Sequence, residues 1–301
     1  MAIQYSGTNY SSPFTCSVGT RQEIVTGLQT GLTAAGWSVI SGSGTGNVLM
    51  QSATTPSPQS LAMRVNLFDP GSGNCARVIV RNTAGTHVQS NYLPLLPAAG
   101  KVFQIIANPY QCFIFTSSSP STAREFAAWG VPYLPSFLQG VITECIWAMA
   151  NGNSDTDTTV RPTFRTGLYA MSNSTSGALW FNCNGNIWEE FNTVPSGNYS
   201  GYPQLYCQQG AYLTSTSSSQ MAYRWHDDSL LTYEPLLSWG LTAYTDEGKI
   251  RGQIWDAAII NDGFTADTTT SFDTHNWWNL TNTNTGSIGA AARGSLFLVT
   301  P

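Results

Sequence analysis

The chain's whole supply of imidazole is His87, His226 and His275, and its only lysines are Lys101 and Lys249. A Ser or Cys nucleophile needs a histidine within hydrogen-bond reach, and none of the three lies in a motif that would bring one there. Ser41-Gly-Ser-Gly-Thr-Gly46 has the small residues of a nucleophile elbow without the strand-to-helix pattern around it. His-Glu-x-x-His is absent, and so is a glycine-rich phosphate loop ending in Gly-Lys. The expectation is a protein that is not an enzyme, with no catalytic residue, no metal and no cofactor.

Carboxylates are the other source of chemistry, because glycosidases face two of them across a cleft. The adjacent pairs Glu189-Glu190 and Asp227-Asp228 would point to opposite faces of a strand and cannot form such a dyad with each other. A glycan-degrading activity would have to draw on separated groups such as Glu144, Glu189 or Asp256. Asn151, Asn153, Asp155 and Asp157 place oxygens at alternate positions, as calcium loops do. The twelfth position, however, is Pro162 where an EF-hand needs Glu, so an ordinary polar turn is the expectation.

Ten tryptophans remain. Seven, from Trp129 to Trp255, lie in or beside apolar runs and read as core packing. The segment His275-Asn-Trp-Trp-Asn279 differs, since consecutive indoles in an extended chain project to opposite sides. His275, Trp277 and Trp278 are therefore the candidate interaction surface. An outward indole there would serve as a protein anchor or a sugar-stacking platform, against the plainer reading that neighbouring loops cover both.

The elements that must hold these residues begin with Thr20-Arg-Gln-Glu23, a capping box. Ile24, Leu28, Leu32 and Ala35 follow at helical spacing and Gly36 closes the run, predicting a helix over 20–35. A β-meander follows, over 47–52, 60–68 and 76–81. Residues 101–108 and 111–116 then form a hairpin around Asn108-Pro-Tyr110. Residues 117–138 read as a connector with a short helical piece near 123–128. Beyond it, runs bounded by Gly, Asn, Ser and Asp recur at strand spacing: 141–150, 166–171, 178–181, 187–191, 204–212, 221–225, 236–243, 249–260 and 295–299. Asn184-Gly185 is the clearest turn among them.

The fold class this predicts is α+β and β-rich. A small helix-plus-meander part occupies 1–120, a connector 121–138, and a larger antiparallel sandwich or barrel-like part 139–301. The polar loops 196–201, 214–220 and 281–289 read as possible contact arms or plain surface loops.

Only 10% of the 301 residues are charged, and Ser, Thr and Asn replace the missing charge. With 12 basic against 17 acidic residues the net charge is −5, so the basic field that nucleic acid requires is lacking. No apolar run reaches the length of a membrane span, and the opening Met-Ala-Ile-Gln-Tyr-Ser-Gly has neither the basic nor the apolar region of a secretory signal. No direct nucleic-acid partner and no membrane are expected. The six cysteines contain no Cys-x-x-Cys and four have apolar neighbours, which predicts buried reduced thiols.

Three stretches carry a resemblance. Arg251-Gly-Gln-Ile-Trp-Asp-Ala-Ala-Ile-Ile260, Asp267-Thr-Thr-Thr270, His275-Asn-Trp-Trp-Asn-Leu280 and Gly294-Ser-Leu-Phe-Leu-Val-Thr-Pro301 resemble the carboxyl-terminal layout of structural proteins in tailed-bacteriophage virions. Ala34-Ala-Gly-Trp37, and Phe103 to Phe115 with Phe126-Ala-Ala-Trp-Gly-Val-Pro-Tyr133, are similar to segments of the same group. The resemblance implies a tail or baseplate component made in the bacterial cytoplasm and assembled into the virion. Its partners would be other virion proteins and copies of itself in a symmetric oligomer. The alternative is a carbohydrate-binding host-recognition module, with glycan as the partner.

Overall fold

The computed structural model describes residues 4–10, 14–42, 46–73, 75–83, 93–95, 97–116, 126–134, 136, 139–140, 143–151, 177–183, 188–190, 205–206, 233–240, 249–260, 269–272, 274–279 and 295–299. Strands account for 48% and helix for 12% of what can be interpreted, and the strand pairs are antiparallel, so the class is β-rich.

Strand β1 (Phe14–Ser17) leads into α1 (Arg21–Ala34). The Thr20 hydroxyl accepts from the Glu23 amide while the Glu23 carboxylate accepts from the Thr20 amide, so the capping box is closed. Ile24, Leu28 and Leu32 form the buried stripe of the helix, and each such side chain contributes about 1.5–3 kcal/mol through burial. The helix rests on β1 and on β7 (Val102–Asn108), approaching closely because Gly27 and Gly31 carry no side chains. A Cβ on Gly27 would lie 2.5 Å from the Cys16 sulfur.

The other side of α1 covers a five-stranded sheet of β2 (Ser38–Ser41), β3 (Asn47–Gln51), β4 (Met63–Phe68), β5 (Ala76–Asn82) and β6 (Leu93–Leu95), in that order. In β4 and β5 burial alternates strictly, with Met63, Val65, Leu67, Ala76, Val78 and Val80 turned inward. Period-two patterning thus becomes one apolar face against the helix.

β7 pairs with β8 (Gln111–Thr116) across the expected Asn108-Pro-Tyr110 turn. They belong to a seven-stranded sheet ordered β1-β7-β8-β9-β10-β11-β12. Its remaining strands are β9 (Phe126–Gly130), β10 (Cys145–Asn151), β11 (Gly177–Cys183) and β12 (Trp188–Glu190). Residues 126–128, expected in a helical piece of a connector, are therefore strand. Pairing on both sides, with β8 and with β10, overrides the helical propensity of the two alanines. The sheet draws strands from both the 1–120 and the 139–301 stretches. β11 and β12 pair antiparallel on either side of Asn184-Gly185, and the turn itself lies outside the described residues.

A six-stranded sheet follows the order β13-β14-β15-β18-β17-β16. These are β13 (Leu205–Tyr206), β14 (Tyr233–Gly240), β15 (Lys249–Ile260), β16 (Thr269–Phe272), β17 (His275–Asn279) and β18 (Ser295–Val299). The expected runs 166–171 and 221–225 and the three polar loops lie outside the described residues. No helix among the described residues is long and apolar enough to cross a membrane. Cys75, Cys112 and Cys145 are buried and Cys16 is half-buried, and Cys16 and Cys112 are free thiols. Burial pushes the Cys112 thiol well up, and burial together with Glu23 pushes that of Cys16 up to about 11.

Candidate functional site

Among the described residues, a densely built polar site forms where β15 departs from regular pairing. Pro235 of β14 faces Ala258 and Leu237 faces Gln253, so residues 254–257 are left without partners on that strand. Ile254, Trp255, Asp256 and Ala257 are all buried, with no alternation. A bulge of this kind re-aims a side chain. Asp256 sits at φ 52, the left-handed region that Asp enters more readily than most residues because its short side chain bonds locally.

Segment 4–10 occupies the gap. The Asp256 amide donates to the Gln4 carbonyl at 2.9 Å, replacing the ladder bond the bulge removes. In return the Ser6 amide donates to one Asp256 oxygen at 2.7 Å, and the Ser6 hydroxyl to the other at 2.5 Å. Asn108 Nδ2, at the end of β7, donates to that second oxygen at 3.1 Å. The Tyr10 side chain also acts on this carboxyl, favouring its charged form. Gln111, first residue of β8, donates through Nε2 to the Tyr10 hydroxyl and to the Trp255 carbonyl, the latter at 2.6 Å. Asn108 Oδ1 accepts from the amides of Tyr110 and Gln111, both at 2.9 Å, so the residue that holds Asp256 also shapes the hairpin turn. The Asn108 carbonyl accepts from the Trp37 indole at 2.9 Å, which extends the network to the end of α1.

Two opposing effects act on the Asp256 carboxyl. Burial disfavours its charge, while Ser6, Tyr10 and Asn108 favour it. Burial prevails and pushes the group up from 3.8 to about 6. Burial first, and then the Asp256 charge, push the Tyr10 phenol well up in turn. At 2% exposure, with its oxygens already committed, Asp256 is arranged to fasten strands rather than to exchange protons with a substrate.

Aromatic rings surround this clasp. Tyr133 meets Trp255 edge-on at 5.0 Å, and Tyr110 lies 6.1 Å from the same indole. Tyr5, next to Ser6, stacks on His275 at 4.1 Å and meets Trp277 edge-on at 6.1 Å. Segment 4–10 therefore bridges β15, β17 and the β7–β8 turn. Within the 275–278 candidate surface Trp277 is fully buried, whereas His275 and Trp278 are half-buried and Trp278 packs against the core.

Of the separated carboxylates, Glu144 and Asp256 have different partners. Glu144 accepts from Asn82 Nδ2 at 2.7 Å, on the inner side of β5, and Asp256 belongs to the clasp. The Glu189 backbone lies in β12 opposite Phe181, and its side chain is outside the described residues. So are His87, His226, the Asp227-Asp228 pair and the polar turn at 152–157. No group of three metal-binding side chains gathers among the described residues. Sequence reasoning named Asp256 but missed its role, because Ser6 and Asn108 lie 250 and 148 positions away.

No protein-family model matches the chain. No curated protein matches it either.

Proposed function

We propose that the protein is a non-enzymatic structural component of a tailed-phage virion, of the tail or baseplate, working through protein–protein interfaces in a symmetric oligomer. On this reading it is made in the bacterial cytoplasm and ends in the particle, and residues 139–301 form its sandwich-like antiparallel part. The observation that carries the proposal is strand β2. It ends the five-stranded sheet, all four of its residues are exposed, and Val39 and Ile40 are the large hydrophobics left open among the described residues. Val39 faces Met50 and Ser41 faces Leu49, so Ile40 is the extra residue of a bulge, and an edge that exposes two apolar side chains with neither charge nor proline remains an aggregation hazard that a cover would remove. A subunit that is to be covered by a neighbour has reason to leave it open. The low charge of the chain and the resemblance of its segments to virion proteins support the same reading.

Mass spectrometry of purified particles, with copy number measured against the major capsid protein, tests the proposal. Presence at a fixed multiple of three, five, six or twelve is expected. A protein absent from particles and monomeric in the lysate would overturn it, and a sugar-specific change in Trp fluorescence in that material would put glycan recognition in its place.

A further inference from the structure

The five-stranded sheet has a second face, turned away from α1. Strand alternation places Arg64, Asn66 and Phe68 of β4 and Arg77, Ile79 and Arg81 of β5 on it, all half-buried. The register sets Arg64 directly opposite Arg81, with Gln51 of β3 next in the same row. Directly opposed residues on one face hold their Cβ atoms about 4.5–5.5 Å apart, and like charges there repel. The pair has little internal relief. Arg64 Nε donates to the neutral Gln51 Oε1 at 2.8 Å. Arg81 Nε is buried with no hydrogen-bond partner. The ion pair found among the described residues is elsewhere, between Arg21 and Asp69 at 2.7 Å. Burial, and then the Arg64 charge, lower the pKa of Arg81, so the Arg64 guanidinium is felt at Arg81.

Three of the chain's 12 basic residues thus share one face of a protein whose net charge is −5. Two forks side by side match the oxygens of a carboxylate or phosphate. The rows beside them decide between these sources. Leu49, Asn66 and Ile79 form the next row, and Asn47, Phe68 and Arg77 the one after. A phosphate would leave that apolar surface bare. A polypeptide with an acidic residue among apolar ones would cover all of it, and Arg and Phe are residue types that interfaces favour.

We infer that the outer face of the five-stranded sheet docks an acidic segment of another protein subunit, a carboxylate lodging between Arg64 and Arg81 and apolar side chains covering Leu49, Phe68 and Ile79. The inference rests on the interface reading above only for the source of that segment.

The test uses the full chain labelled with nitrogen-15, into which an eight-residue peptide with a single Glu among valines is titrated, and inorganic phosphate separately. Saturable shifts of the Arg64 and Arg81 Nε–H resonances are expected with the peptide, weakened at least tenfold by Arg64→Gln and by Arg81→Gln. Both unliganded variants should melt at or above the wild-type temperature, because each removes a repulsion. Absence of a saturable shift would overturn the inference. So would phosphate binding as tightly as the peptide, or a fall in melting temperature in both variants, which would mean that the arginines serve the chain's own fold. Peptide binding by a protein absent from particles would leave this surface standing and remove the virion reading alone.

Discussion

Replacing Asp256 with Asn separates the two effects that compete at the clasp. Asn keeps the side chain's shape and an oxygen for the Ser6 amide, but it has no charge to bury. Three donors reach the carboxylate, and hydrogen bonds to a charged group contribute about 1.5–3 kcal/mol each. Burying the ion costs several kcal/mol, which outweighs the part of that gain specific to the charged form. A carboxyl raised from 3.8 to about 6 binds its proton more tightly in the folded than in the unfolded chain. Its contribution to stability is therefore fully present below pH 4 and is lost as the pH rises through 6. At 1.36 kcal/mol per pH unit the loss is about 3 kcal/mol.

The assay is urea unfolding of wild type and Asp256→Asn at intervals from pH 4 to 7.5. Other carboxylates titrate in both proteins, so the difference between the two stabilities isolates this residue. That difference should move in favour of Asn by about 2.4 kcal/mol between pH 4 and 7. A difference that stays flat, or that moves toward Asp as the pH rises, would refute the reasoning and show that the donors, not burial, govern the group.

Thr20→Ala opens the capping box and should cost about 1 kcal/mol in thermal or urea unfolding. Gly27→Ala drives a methyl into Cys16 and should cost about 1–3 kcal/mol, partly restored by Cys16→Ala, as read by differential scanning calorimetry. Trp37→Phe leaves the buried Asn108 carbonyl without its donor, and a loss of about 1–3 kcal/mol in urea unfolding is expected. Val39→Lys with Ile40→Lys should change the stability of the isolated chain by less than about 0.5 kcal/mol. The same pair should lower its copy number in purified particles, and unchanged incorporation would count against β2 as a contact edge.

The parts of the fold legible in the sequence are those whose partners are near in sequence. α1 is written in Thr20, Glu23 and the Ile24–Leu28–Leu32 spacing, and its cap closes as those residues predict. The β7–β8 hairpin is written in two apolar runs around Asn108-Pro-Tyr110. Residues 126–128 read as helical because alanine favours a helix in isolation, whereas pairing on both sides decides for a strand. Gly130 in that strand leaves space that the Trp147 ring and the Gln111 side chain fill. At the clasp, Trp255-Asp256 looks like one more alternation in a long strand. Only the mismatch with β14 and the arrival of segment 4–10 turn the carboxylate inward, and neither is a local property. The Arg64–Arg81 pair was hidden for a similar reason, since alternation gives each arginine its face but only register sets one against the other.

The clasp also bears on the order of events at the ribosome. Ser6 and Asp256 are 250 positions apart, and at synthesis rates of about 5–20 residues per second that span takes about 12–50 s to make. Throughout that interval Ser6 and Tyr10 exist while the carboxylate that will fasten them does not. α1 and the hairpin it rests on can form early, but the junction near Asn108 stays open until β15 emerges. Closing so long a loop is slow, and it rewards the chain only at the end. A nascent molecule thus carries a short segment, around Ser6, that cannot settle until β15 has been translated.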